Sequence, residues 1–156
     1  MMLNDRFIRL INDPSAALWA SNCNRQLEPE LVRLLGAQVE ADSEHLLFFV
    51  PLKLGGGLVQ NFTDTDQLTF LLAIILTNES YQLKGSYLSH RPCTEAEVTL
   101  QNEYMTRLCH HAVAHQGLPG DKAFEAYYDQ PSVAVRMLVR EVYEQTPRIG
   151  TGEKVS

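Results

Sequence analysis

The nine residues ESYQLKGSY at positions 79–87 sort by parity. Tyr81, Leu83, Gly85 and Tyr87 fall on one side of an extended chain, and Gln82, Lys84 and Ser86 fall on the other, because successive side chains of a strand point to opposite faces. The pattern predicts a half-buried strand with one apolar face and one polar, cationic face. A Gln and a Lys two positions apart on that second face have two readings. They are a solvated strand surface, as half-exposed strands commonly show, or donors held ready for an anionic ligand.

Working outward, further strand candidates lie at 15–21 (SAALWAS), 31–40 (LVRLLGAQVE), 45–50 (HLLFFV) and 70–76 (FLLAIIL), with turn-rich pieces such as NCNRQLEP between them. Short strands at that spacing predict an antiparallel sheet or barrel. After residue 93 the period changes. Thr94 and Glu97 have capping-box spacing, and Val98, Met105, Leu108, Cys109 and Ala112 form one apolar stripe ending near Gly117, which predicts a single long helix. A shorter helix is expected over 121–129, and SVAVRMLVREVY after Pro131 returns to β-branched, strand-like composition. At the N-terminus Leu3, Phe7, Leu10 and Ile11 recur at helical spacing up to Pro14, predicting a short amphipathic helix. The expected fold class is mainly β with helices, one domain over residues 1–156.

Charge and composition exclude several functions. Thirteen Lys and Arg against nineteen Asp and Glu give a net charge of −6, a field that repels a phosphate backbone, so no nucleic-acid partner is expected. The three cysteines lack CxxC spacing and predict reduced thiols in a cytoplasmic protein. The N-terminal stretch carries acidic residues where a signal peptide would be basic and then apolar, so no export is expected. FLLAIIL is far shorter than the roughly 20 residues of a membrane-spanning helix, and no membrane association is expected.

Three other features draw attention. Arg33 is in phase with Leu31, Leu35 and Val39, which in one continuous strand would turn its guanidinium toward the apolar side, where it needs an anion. A carboxylate and a phosphate both satisfy that requirement. In HHAVAH, His111 and His115 sit at i, i+4, but helical-wheel placement spreads the three histidines around the helix, and with no HExxH glutamate no metal site is expected. LGGGL at 54–58 is neither GxGxxG nor a P-loop, and it predicts a flexible loop with no nucleotide role.

ALWASNCNRQLEPELVRLLGAQVEADSEHLLFFVP, the later YQLKG and the closing VYEQTPRIGTGEKV together resemble the pyridoxamine 5'-phosphate oxidase-like family of FMN-binding split β-barrels. The resemblance implies an antiparallel split β-barrel with one long helix, acting as a homodimer with a flavin groove at the subunit interface. It implies FMN as cofactor and a small-molecule substrate, in a flavin-dependent oxidoreductase whose ring does the redox chemistry while the protein supplies position and electrostatics. Carried over, Trp19, Ser21, Arg33, Gln82 and Lys84 would line the flavin groove, and Thr77, Asn78 and Ser80 would donate hydrogen bonds to the phosphate. No catalytic acid or base is implied, and Gln145 falls in a tail motif with no assigned role. The stretch before QLKG is short and contains Glu79, a negative charge where a phosphate would approach. The alternative is a cofactor-free dimeric split barrel that binds a ligand or a protein.

Overall fold

The outermost strands of the sheet are consecutive in the chain, and this determines the architecture. The computed structural model describes residues 3–118 and 120–156, the side chains of 120–123 excepted. Seven strands, β1 (Ala16–Cys23), β2 (Pro29–Arg33), β3 (Ala37–Val39), β4 (His45–Pro51), β5 (Gln67–Ile74), β6 (Ser80–Pro92) and β7 (Ser132–Glu144), lie in the order β2-β1-β5-β6-β7-β4-β3. Every neighbouring pair is antiparallel. Because only residues 34–36 separate β2 from β3, the sheet must curl until its edges meet. The Leu34 N–H donates to Leu18 O at 2.9 Å, the Leu35 N–H to Phe49 O at 2.9 Å, and the Phe49 N–H to Gly36 O at 3.0 Å, tying β1 to β4 across the seam. The result is the expected split β-barrel.

The strand expected over 31–40 is therefore two strands at opposite edges. Leu34 and Leu35 are consecutive and both buried, which no strand allows on one face, and Gly36 at φ +135° makes the turn. The phase inferred for Arg33 fails with it. Val32 is the residue of β2 that points into the barrel, while Leu31, 62% exposed, and Arg33 share the outer face.

Alternation fills the barrel elsewhere. On β5, Leu68, Phe70, Leu72 and Ile74 are buried while Thr69, Leu71 and Ala73 face out, and Phe48 of β4 meets Phe70 with ring centroids 5.8 Å apart. On β6 the parity of YQLKG holds, with Tyr81 and Leu83 inside and Gln82 and Lys84 outside. Gly85 then sits at a bulge against β7, where a Cβ would come within 1.9 Å of the Leu138 carbonyl oxygen. Past that bulge the strand is re-aimed, so Tyr87 leaves the core and stacks on Phe62 at 3.9 Å.

Among the described residues three helices close the structure. α1 (Asp5–Ile11) buries Phe7 and Ile11 and is capped by Asn4. α2 (Leu52–Gln60) occupies LGGGL, where a loop was expected. A Cβ on Gly55 would lie 2.5 Å from Val50 Cγ1, so this glycine serves the close approach of the helix to the barrel, while Gly56 faces open space and Gly57 faces the Glu30 side chain. α3 (Glu95–Gln116) has the expected capping box between Thr94 and Glu97, buries Met105, Leu108, Cys109 and Ala112, and ends at Gly117 in the left-handed region. The piece expected to be a helix over 121–129 is a 3₁₀ segment, Gly120–Tyr127. No helix among the described residues is long and apolar enough to cross a membrane.

Candidate functional site

Strand pairing brings most of the singled-out residues onto one surface. Reading across the outer face, Arg33 of β2 lies opposite Trp19 of β1, Trp19 opposite Leu71 of β5, Leu71 opposite Gln82 of β6, and Gln82 opposite Tyr143 of β7. The next row of the same face runs Leu31, Ser21, Thr69, Lys84 and Glu141. Side chains in register across antiparallel strands sit within contact range, so each row is one continuous strip.

Three hollows divide this surface. A cavity of about 170 Å³ is lined by Arg33, Trp19, Asn78, Ser80, Gln116 and Phe124. On the other side of Trp19, a shelf of about 270 Å³ is walled by Leu31, Leu71, Ala73, Ser80 and Gln145. The third and widest, about 880 Å³, holds Ser21, Thr69, Lys84, Ser86 and Arg140 together with Asp66 and Glu141.

The Arg33 guanidinium lies 4.9 Å from the Trp19 ring centroid and 5.5 Å from that of Phe124. Among the described residues no carboxylate pairs with it, which favours the anionic-ligand reading. Aromatic faces hold a cation in place without neutralising it. Asn78, at φ 60° in the β5–β6 turn, and Ser80 face the same cavity. Among the described residues the cavity therefore joins one unneutralised cation to the Asn78 amide and to the Ser80 hydroxyl, which here donates to Asn78 O at 3.0 Å and can turn to donate to a ligand, a set that fits a phosphate.

Other expected members lie apart from Arg33. Thr77 is exposed in the turn, where its hydroxyl accepts the Glu79 N–H at 3.3 Å, and it lines none of the three hollows. Lys84 is three strands from Arg33, about 14 Å of sheet. Its ammonium lies 4.7 Å from the Tyr143 ring centroid, on the side away from β2. Gln82 sits between the two ends, and its Oε1 accepts from Gln145 Nε2 at 3.4 Å, which gives the tail residue a contact in the site. Gln116, Phe124, Leu71 and Tyr143 were missed from the sequence. Leu71 and Tyr143 follow from the strand register once Gln82 is placed, whereas Gln116 and Phe124 reach the cavity from α3 and the 3₁₀ segment by tertiary packing.

The histidines of α3 are closer than the wheel suggested. The His111 and His115 rings stack with centroids 6.0 Å apart, while His110 meets His111 edge-on at 5.6 Å. Elsewhere, ligand atoms of Glu40, Asp42 and His45 lie within 4.8 Å of one another. Arg136 already takes both Glu40 oxygens, at 2.8 and 2.7 Å, and the arginine holds that carboxyl below its usual range.

No family model matches the chain, and no curated protein matches it. Solved structures do. HupZ of Group A Streptococcus superposes with a TM-score of 0.55 at 11% identity, over 97% of this chain and 99% of its own. A provisional pyridoxamine 5'-phosphate oxidase from Lactobacillus delbrueckii gives 0.55 at 10% identity, over 91% and 93%. A general stress protein 26 relative from Clostridium acetobutylicum, described as of the pyridoxinephosphate oxidase family, gives 0.53 at 8% identity, over 97% and 96%. The chain has the split β-barrel fold of the pyridoxamine 5'-phosphate oxidase-like proteins. At these identities the likeness is one of fold, and function has to be argued from the site.

Proposed function

We propose that the chain is a homodimeric flavoprotein that holds FMN on the outer face of β2, β1, β5 and β6 and acts as an oxidoreductase on a small molecule. The observation that carries this reading is Arg33, a cation fixed between two rings and without a carboxylate partner among the described residues, in a cavity with Asn78 and Ser80. In this reading those three residues bind the phosphate. Trp19 and Leu71 give the flavin a flat apolar surface, and Gln82, steadied by Gln145, offers polar contacts to its edge. Ser21 and Lys84 border the wide hollow, where a substrate reaches the cofactor. When bound, FMN supplies hydride or electron transfer, and the side chains orient it and exclude water.

Dimerisation follows from the same surface. Leu31 is 62% exposed and adjoins the half-buried Trp19 and Leu71, an apolar strip that a second copy would cover. One experiment tests both parts. Protein saturated with FMN is sedimented while the flavin's visible band is followed, and the band is expected to travel with a species of twice the chain mass. Flavin that stays at the meniscus, with no fluorescence quenching at high micromolar FMN, rejects the cofactor; flavin moving with a monomer rejects the dimer.

A further inference from the structure

A negative charge stands beside the phosphate cavity, and the structure shows what answers it. Glu79 lies between Asn78, in the turn, and Ser80, the first residue of β6, both of which line the Arg33 cavity. An uncompensated carboxylate there repels a dianion. Arg6, in the first turn of α1, forms an ion pair with Glu79 Oε1. The same oxygen accepts from the Tyr81 hydroxyl at 2.8 Å. Tyr81 is held in turn by Phe7, edge-on at 5.0 Å, and its pKa is pushed up to about 12, by burial first and then by the bond to Glu79. It therefore remains a donor to Glu79 at neutral pH. These two donors draw the carboxylate toward α1, while Ser80 faces the outer surface.

Stability explains little of this arginine, whose other contact is with the Tyr81 ring, 5.6 Å from its centroid. A cation in the first turn of a helix opposes the helix dipole. An ion pair whose arginine side chain is 57% exposed contributes little to folding. What the pair does accomplish is local neutralisation at the cavity.

We propose that Arg6 is a positioning residue of the phosphate site. By masking the charge of Glu79 and tying its carboxylate back to α1, it lets an anion settle against Asn78, Ser80 and Arg33. This inference rests on the FMN reading of the cavity. It is tested by titrating FMN into the unmodified protein and into Arg6→Ala, Glu79→Gln and the double variant. Arg6→Ala is expected to weaken FMN binding about tenfold, since it frees a unit charge near the phosphate. Glu79→Gln alone is expected to bind at least as well as the unmodified protein, and the double variant to return to within about twofold of it. The double variant lacks the ion pair as fully as Arg6→Ala does, so a merely structural role would leave it equally weak. Failure of Glu79→Gln to rescue, or no effect of Arg6→Ala, overturns the inference while the FMN reading stands. An unmodified protein that binds no FMN overturns the FMN reading, and this inference falls with it.

Discussion

The two faces of strands β1, β5 and β6 are built by different rules. Inside the barrel, Leu18, Ala20, Phe70, Leu72 and Leu83 alternate along their strands and are all but fully buried. Outside, the same strands present Trp19, Ser21, Leu71, Gln82 and Lys84, a mixture with no common polarity, next to an arginine with no carboxylate partner among the described residues. A face selected only for solvation would carry small and charged residues and leave few large rings or unneutralised cations. The inner face therefore accounts for folding, and the outer face is where we propose that FMN binds. Substitutions on the two faces should separate those properties.

The largest expected effect lies at the barrel wall. Gly85 occupies the bulge where a Cβ would meet the Leu138 carbonyl oxygen at 1.9 Å, and a backbone oxygen cannot rotate away as a side chain would. Gly85→Ala is expected to cost about 3 kcal/mol or more of stability, the upper range for overpacking, in denaturant unfolding. An unchanged midpoint would show that β7 slides freely against β6 and that the bulge is not fixed. On the outer face the order reverses. Arg33→Ala is expected to weaken FMN by about 1.5–3 kcal/mol, ten- to over a hundredfold, because a charge-assisted bond to phosphate is lost. Its unfolding midpoint should move little, since the side chain lies on the outer face. Equal losses of binding and stability would mean that Arg33 is part of the packing rather than of the site.

The same contrast explains what could be read from the sequence. The inner face was legible because burial repeats with the period of the strand, as in YQLKG, and the apolar run HLLFFV and the Thr94–Glu97 capping box are likewise local signals, although burial in β4 runs on through Phe48, Phe49 and Val50. Two failures had a common cause in tertiary approach. LVRLLGAQVE looks like one strand, but barrel closure at Leu34, Leu35 and Gly36 sends its halves to opposite edges. LGGGL looks like a loop, but α2 needs Gly55 in order to lie against Val50 and Val32. For the proposed site, a resemblance singled out Arg33, Trp19 and Gln82, which strand register places in one outer row, and residue type suggested an anion. The separation of Lys84 from Arg33, and the contributions of Gln116 and Phe124, depend on which strands and helices become neighbours, which no local pattern records.

The smallest expected effect lies at neither face but where β6 hands over to α3. Arg91, at the end of the strand, donates to both oxygens of Glu97 at 2.9 and 2.7 Å, and Glu97 also accepts the Thr94 N–H at 2.8 Å. Arg91 first, and then the Thr94 backbone, hold the Glu97 carboxyl below its usual value of 4.5, against the opposing effect of burial. A folded pKa lower than the unfolded one means that the stabilisation is complete above the unfolded value. It is lost as pH falls through the folded value, when a proton displaces Arg91. The arginine side chain is half exposed, so the contribution is under about 1 kcal/mol. Unfolding midpoints of Glu97→Gln and the unmodified protein should accordingly differ near neutrality and converge only once pH has fallen past the lowered folded value of Glu97. A gap that persists into acid would mean that the amide fails to cap the helix, and that Glu97 acts through its shape and hydrogen bonds rather than its charge. Convergence would place the charge of the strand-to-helix junction outside both faces of the barrel, as a third and weaker contribution that affects neither the packing inside nor FMN binding outside.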